Sequence, residues 1–244
     1  MMTNRESSVD QATDPFPGFT PEALQFLVDL ALDNDRSWFQ PRKREYERLL
    51  REPLEAMCVA LDRELTSRAI PLSADPARSP FRIYRDVRFS ADKSPYKTAV
   101  SASFPWSGAG GGVGGYVQIQ PGACYVGGGM WHPAPARLAA WRAAVVADRA
   151  KVHAVIDEPV FRSTFGPLEG DSLKRAPSGF ASDDPDLDLL KLKDVTFGRS
   201  LSDAEAGSAD LPRIVADAFA KAQPLLALLA ALPGHEAPVP WLRR

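Results

Sequence analysis

The spacing of apolar residues changes period twice along this chain, and that change limits its architecture more than any other feature. Up to residue 68 the period is helical. Thr20 caps a first helix carrying Leu24, Leu27, Val28 and Ala31, with Pro21 at its first position and Asp33-Asn34-Asp35 ending it. A second helix is expected from Pro41 to Arg68, with Tyr46, Leu49, Leu50, Leu54, Met57, Leu61 and Leu65 on one stripe and Pro53 kinking or splitting it. From residue 81 the period falls to two. Residues 81–84, 97–104, 116–120 and 124–130 read as short strands, the last two joined by a Pro121-Gly122 turn. Helices return at 135–149, 152–157 and 211–232, with a short one carrying Leu187, Leu189 and Leu190 and opened by Pro185, and a further strand at 193–197. Consecutive strands between helical blocks define an α+β class: a mainly antiparallel sheet flanked by N-terminal and C-terminal helices, not an alternating βαβ order.

The organisation expected is a disordered polar tail over 1–17, one α+β domain over 18–232 and a Pro-rich tail over 233–244. With 45% hydrophobic and 25% charged residues the 244-residue chain can bury a core, which excludes a disulfide scaffold or a wholly disordered chain. Lys plus Arg (29) nearly balances Asp plus Glu (31), so no global basic field points to nucleic acid or anionic membrane. Cys58 and Cys124 read as free buried thiols. No apolar run is long enough to span a membrane and no export signal opens the chain, so a cytoplasmic location is expected.

The densest polar constellation runs from Arg82 to Lys97. It holds three Arg and two Lys against two Asp, a local charge of +3, interleaved with Tyr84, Phe89 and Tyr96. Arginine offers planar bidentate donors for phosphate or carboxylate, and lysine adds a point charge. One reading makes Arg82, Arg85, Arg88, Lys93 and Lys97, with Trp131, the contacts of an anionic small molecule, and Asp86, Tyr96 or His132 the proton-transfer group. The second makes the cluster structural, with Asp86 and Asp92 pairing the arginines; loss of Asp86 then strands at least one partly buried arginine, at roughly 2–4 kcal/mol. The third is a nucleic-acid or protein interaction module, less favoured because a single cluster stands alone. No cofactor is expected, and the sequence assigns neither an enzymatic activity nor an oligomeric state.

Other features are weaker. Lys174, Arg175, Lys191 and Lys193 form a second cationic group around a turn at Gly179. Gly110, Gly112 and Gly115 satisfy a GxGxxG spacing, but the run leads into a strand, so it reads as a flexible hairpin loop. Gly127-Gly128-Gly129 in a strand allows close approach of backbone or ligand, with Trp131 and His132 at its mouth. His153 reads as a helix-surface residue and His235 as part of the tail. No HxH, HExxH or CxxC pair argues for zinc, and neither a GxSxG nor a P-loop is present.

The pattern RxxRDxRFxxDKxPYK, from Arg82 to Lys97, resembles the signature of a widespread, mostly bacterial family of uncharacterised proteins carrying a domain of unknown function. The likeness extends to Asn34–Tyr46, Tyr116–Pro133 and Leu173–Lys193, covering roughly residues 18 to 230. It implies a single domain and leaves the activity open.

Overall fold

The computed structural model describes residues 16–88, 90–108 and 111–234. Phe89, Gly110, His235 and most of both expected tails lie outside these. Helix α1 (Pro21–Leu32) is capped by the Thr20 hydroxyl, which accepts from the Ala23 N–H. Helix α2 (Arg36–Tyr46) starts five residues before the expected Pro41, because Asp35 caps it by accepting from Trp38 N. The kink expected at Pro53 takes the form of a π-helical turn, Glu47–Arg51, leading into α3 (Glu52–Ser67). The wide turn gives room where the proline ring would meet a carbonyl of the preceding turn and where its missing N–H leaves one unbonded.

Strands β1 (Val100–Pro105), β2 (Val113–Ile119), β3 (Cys124–Met130) and β4 (Val195–Leu201) form one antiparallel sheet in the order β1-β2-β3-β4. The α+β expectation thus holds. The glycines expected to loop before residue 116 instead enter β2, where Gly114 pairs with Gly129 and Gly115 with Gly128. Residues 81–84 form no strand: they run beside β1, with Phe81 N donating to Ser101 O, and then diverge. Helices α4 (Pro135–Ala147), α5 (Arg149–Ile156), α6 (Pro159–Phe165) and α7 (Leu187–Lys191) lie between β3 and β4. The break between α4 and α5 falls at Asp148, which caps the second by accepting from Lys151 N. Short α8 (Asp203–Ala206) opens with a capping box of Ser202 and Glu205, and α9 (Leu211–Ala230) closes the domain.

Alternation divides the sheet into two faces. Val100, Ala102, Phe104, Val117, Ile119, Val126 and Val195 face the core, where α9 packs on β2, β3 and α3. Phe219 of α9 lies so close to Gly115 that a β-carbon there would be 2.4 Å from its ring. Arg137 is buried behind this core and donates to the carbonyls of Leu229 and Ala230, satisfying the C-terminus of α9. Cys58 and Cys124 are free and buried, as expected; burial pushes their thiols up to about 12 and about 11. Phe16 is 4% exposed and packs edge-on against Phe19, so the described fold includes two residues of the expected tail, Phe16 and Pro17. Among the described residues no helix is long and apolar enough to cross a membrane.

Candidate functional site

The other face of the sheet carries Ser101, Ser103, Tyr116, Gln118, Tyr125 and Thr196, and it is the floor of a cavity of about 1060 Å³. Two irregular ribbons overhang its opposite edges. Along β1 runs the segment from Ser79 to Lys97, a loop whose stem is closed by Arg85 N donating to Pro95 O and Lys97 N donating to Ile83 O. Along β4 runs the segment after α6, where the Glu169 and Thr196 main chains bond reciprocally and Lys193 N donates to Asp171 O. Gly170 sits there at φ +144, and a β-carbon would meet the Asp194 carbonyl at 2.4 Å, so only glycine fits.

The Arg82–Lys97 loop separates into a cavity side and a solvent side. Arg85, Tyr96 and Lys97 line the cavity. Arg85 pairs with Asp92, which also accepts from the Ser94 hydroxyl and main-chain N–H; together these hold Asp92 well below the usual carboxylate range. Lys97 lies 5.0 Å from the centroid of Phe81 and has no carboxylate within 4.0 Å among the described residues. Its burial, with the nearby Arg82 charge, lowers its ammonium pKa. Arg88 pairs with Asp86 through two side-chain bonds of 2.9 and 2.7 Å, away from the cavity, and Lys93 donates to Val87 O. Arg82 is exposed.

Asp86 does not pair with the partly buried arginine expected of it. Its side chain is 48% exposed and its partner's 76%. The Arg88 guanidinium lowers its carboxyl to about 2, an effect that water screens at such an exposed pair. The structural reading of the loop therefore holds for the Asp86–Arg88 and Asp92–Arg85 pairings and fails for the partly buried arginine expected at Asp86.

Tyr96 is anchored on all sides. Its main-chain N–H and C=O both bond the Asn34 side chain, its ring stacks on Phe39 at 4.1 Å, and Gln40 donates to its hydroxyl. Trp131 lines the cavity mouth, half of its surface exposed. His132 beside it adopts φ +47, a strained conformation for histidine. The buried carboxylate of Asp194 accepts from its main-chain N–H (2.6 Å) and lies 3.1 Å from its Nδ1. Of the second cationic group, Lys191 and Lys193 pair loosely with Asp188 and Asp171, while Lys174 and Arg175 are exposed. His153 is on a helix surface as expected, but it is held between Asp157 (2.6 Å) and Asp186 (2.8 Å), which raise its pKa.

Phe81, Tyr116, Tyr125 and Glu169 are among the cavity residues that escaped the sequence reading. Tyr116 and Tyr125 carried a signal, since each takes the outward parity of an alternating strand. Glu169 carried none, lying in a segment with no periodicity. Among the described residues no group of three or more His, Cys, Asp and Glu side chains is placed to hold a metal ion.

Fold and site together define an α+β protein in which a four-stranded meander is covered by helices on one face and opens into a cavity on the other. The chain belongs to the family described as Conserved hypothetical protein (DUF2461), whose model matches residues 22–227. No curated protein and no solved structure matches it.

Proposed function

We propose that this protein binds an anionic small molecule, phosphorylated or carboxylated, on the open face of the sheet. The observation that carries the reading is Lys97, a half-buried ammonium on the cavity wall with no carboxylate within 4.0 Å among the described residues. A buried cation without a counter-charge is costly, and an anionic ligand would offset that cost. Arg85 on the same wall and Trp131 at the mouth complete the contact set. Arg82, Asp86, Arg88, Lys93 and His132 lie outside the cavity lining, so this proposal gives them no direct contact. A cytoplasmic location belongs to the same proposal and suits two free buried thiols.

Titration calorimetry with phosphate, sulfate, benzoate, nucleotides and short oligonucleotides tests the reading on wild type, Lys97→Met and Arg88→Ala. The expected result is binding of an organic anion that Lys97→Met weakens about tenfold or more and Arg88→Ala leaves unchanged. Binding no tighter than about 1 mM for every anion, or equal loss in both variants, overturns it. A response to oligonucleotides alone, falling steeply with salt, would replace it with an interaction module.

A further inference from the structure

The cavity floor is ordered from end to end. Lys97 Nζ lies 5.0 Å from the Phe81 ring centroid, Phe81 lies 6.4 Å from Tyr116, and Tyr116 lies 6.5 Å from Tyr125. The Tyr125 hydroxyl in turn donates to Glu169 Oε2 at 2.9 Å. Phe81 sits beside β1, Tyr116 on β2, Tyr125 on β3, and Glu169 bridges to β4. A row of three aromatic rings thus crosses the whole sheet, with a cation at one edge and a carboxylate at the other.

The ends are opposite in charge and similarly balanced. At the β1 edge Arg85 is paired by Asp92, and Lys97 has no carboxylate within 4.0 Å among the described residues. At the β4 edge Asp171 is 3.9 Å from Lys193, while Glu169 has no cation within 4.0 Å among the described residues. Among the described residues that line the cavity, each end therefore presents one uncancelled charge. A cavity of about 1060 Å³ is far larger than an inorganic phosphate requires and matches the upper range of small-molecule sites. Backbone-only positions Gly114 and Gly129 let a flat group approach the sheet closely beside the rings.

We infer that the cognate ligand is an elongated zwitterion with a flat apolar middle: its anionic group meets Lys97 and Arg85, its middle lies along Phe81, Tyr116 and Tyr125, and its ammonium meets Glu169. This rests on the anion reading of the same cavity and adds to it a second, acidic seat at a defined distance along the sheet. The row also accounts for Tyr125. Its hydroxyl proton goes to Glu169, so it fixes the carboxylate in place while leaving the second oxygen to accept from an ammonium. Recognition at both ends sets the length of the ligand, and the rings between them favour a planar group over an aliphatic chain.

Three probes of one length separate the possibilities: a benzoate with a para aminoalkyl chain, the matching alkyl benzoate, and the matching diacid. Calorimetry with wild type, Lys97→Met and Glu169→Gln is expected to show the amino acid probe binding about fivefold or more tighter than the alkyl benzoate. Glu169→Gln should abolish that preference while leaving the alkyl benzoate affinity unchanged, and Lys97→Met should weaken both. Glu169 is exposed, so its variant is expected to fold, and the unchanged alkyl benzoate affinity verifies that it has. If both probes bind equally, or the diacid binds best, the acidic seat is overturned while the anion reading stands. If no probe binds, both fall.

Discussion

Tyr125 lies flat over Gly198 of the neighbouring strand, so closely that a β-carbon at residue 198 would be 1.8 Å from its hydroxyl oxygen. The ring also covers Gly127, where a β-carbon would meet it at 2.7 Å. Two glycines paired across β3 and β4 thus form the bed of one tyrosine.

Gly198→Ala is expected to displace Tyr125 and destabilise the fold by about 1–3 kcal/mol, the usual cost of overpacking. The double variant Gly198→Ala/Tyr125→Ala should recover part of that loss, because the obstructing ring is gone. Urea denaturation of the three proteins checks this, and a single variant as stable as wild type would show that Tyr125 swings away freely.

Asp86→Ala is expected to leave the denaturation midpoint within error of wild type, since both partners of its ion pair are solvated. Arg137→Leu should behave oppositely. It removes donors to the α9 C-terminal carbonyls in a buried setting, at roughly 1–3 kcal/mol. A large effect at Asp86 together with none at Arg137 would reverse this assignment of structural roles.

His153 links stability to pH. Asp157 and Asp186 raise its pKa above the ordinary 6.5, so the folded protein binds this proton more tightly than the unfolded chain does. The stabilisation is complete below about pH 6.5 and is lost as pH rises through the folded value. Because the side chain is 41% exposed, it is at most about 1 kcal/mol. His153→Gln should flatten the stability–pH curve above pH 6, measured by denaturation between pH 5 and 9; an unchanged slope would mean the clamp contributes nothing.

Removing residues 1–15 is expected to leave the midpoint unchanged, because that polar stretch has little apolar surface to bury. Phe16→Ala should cost about 2–4 kcal/mol, since the ring is buried against Phe19. Thermal melts of both proteins distinguish a boundary at residue 16 from one at 18.

The fold was legible wherever a local rule sufficed. Thr20-Pro21 announced α1, Pro121-Gly122 the β2–β3 turn, and alternation the two faces of β1 to β3. Pro53 was read as a local kink, but the helix absorbed it a turn earlier, where the blocked carbonyl lies. The Ser202-x-x-Glu205 box was visible and went unread, because four residues of helix carry no period. The charged loop was legible as a cluster but not as two sides, since the division between Arg85 and Arg88 depends on which way an irregular loop faces. The cavity was the least legible part. Phe81, Tyr116, Tyr125 and Glu169 come from four segments, and only strand register brings them into one row.

The ribbons that overhang the sheet have a consequence for how this protein meets other chains. Ser79 to Phe81 already bond the outer side of β1, and Glu169 bonds the outer side of β4. Stretches of both lateral strands are therefore capped, leaving little template onto which a foreign strand could add. Association by strand exchange or fibril growth must first peel away a ribbon, and the same ribbons hold Lys97 and Glu169. Any variant loose enough to polymerise through its sheet should already have lost the charged ends of its cavity.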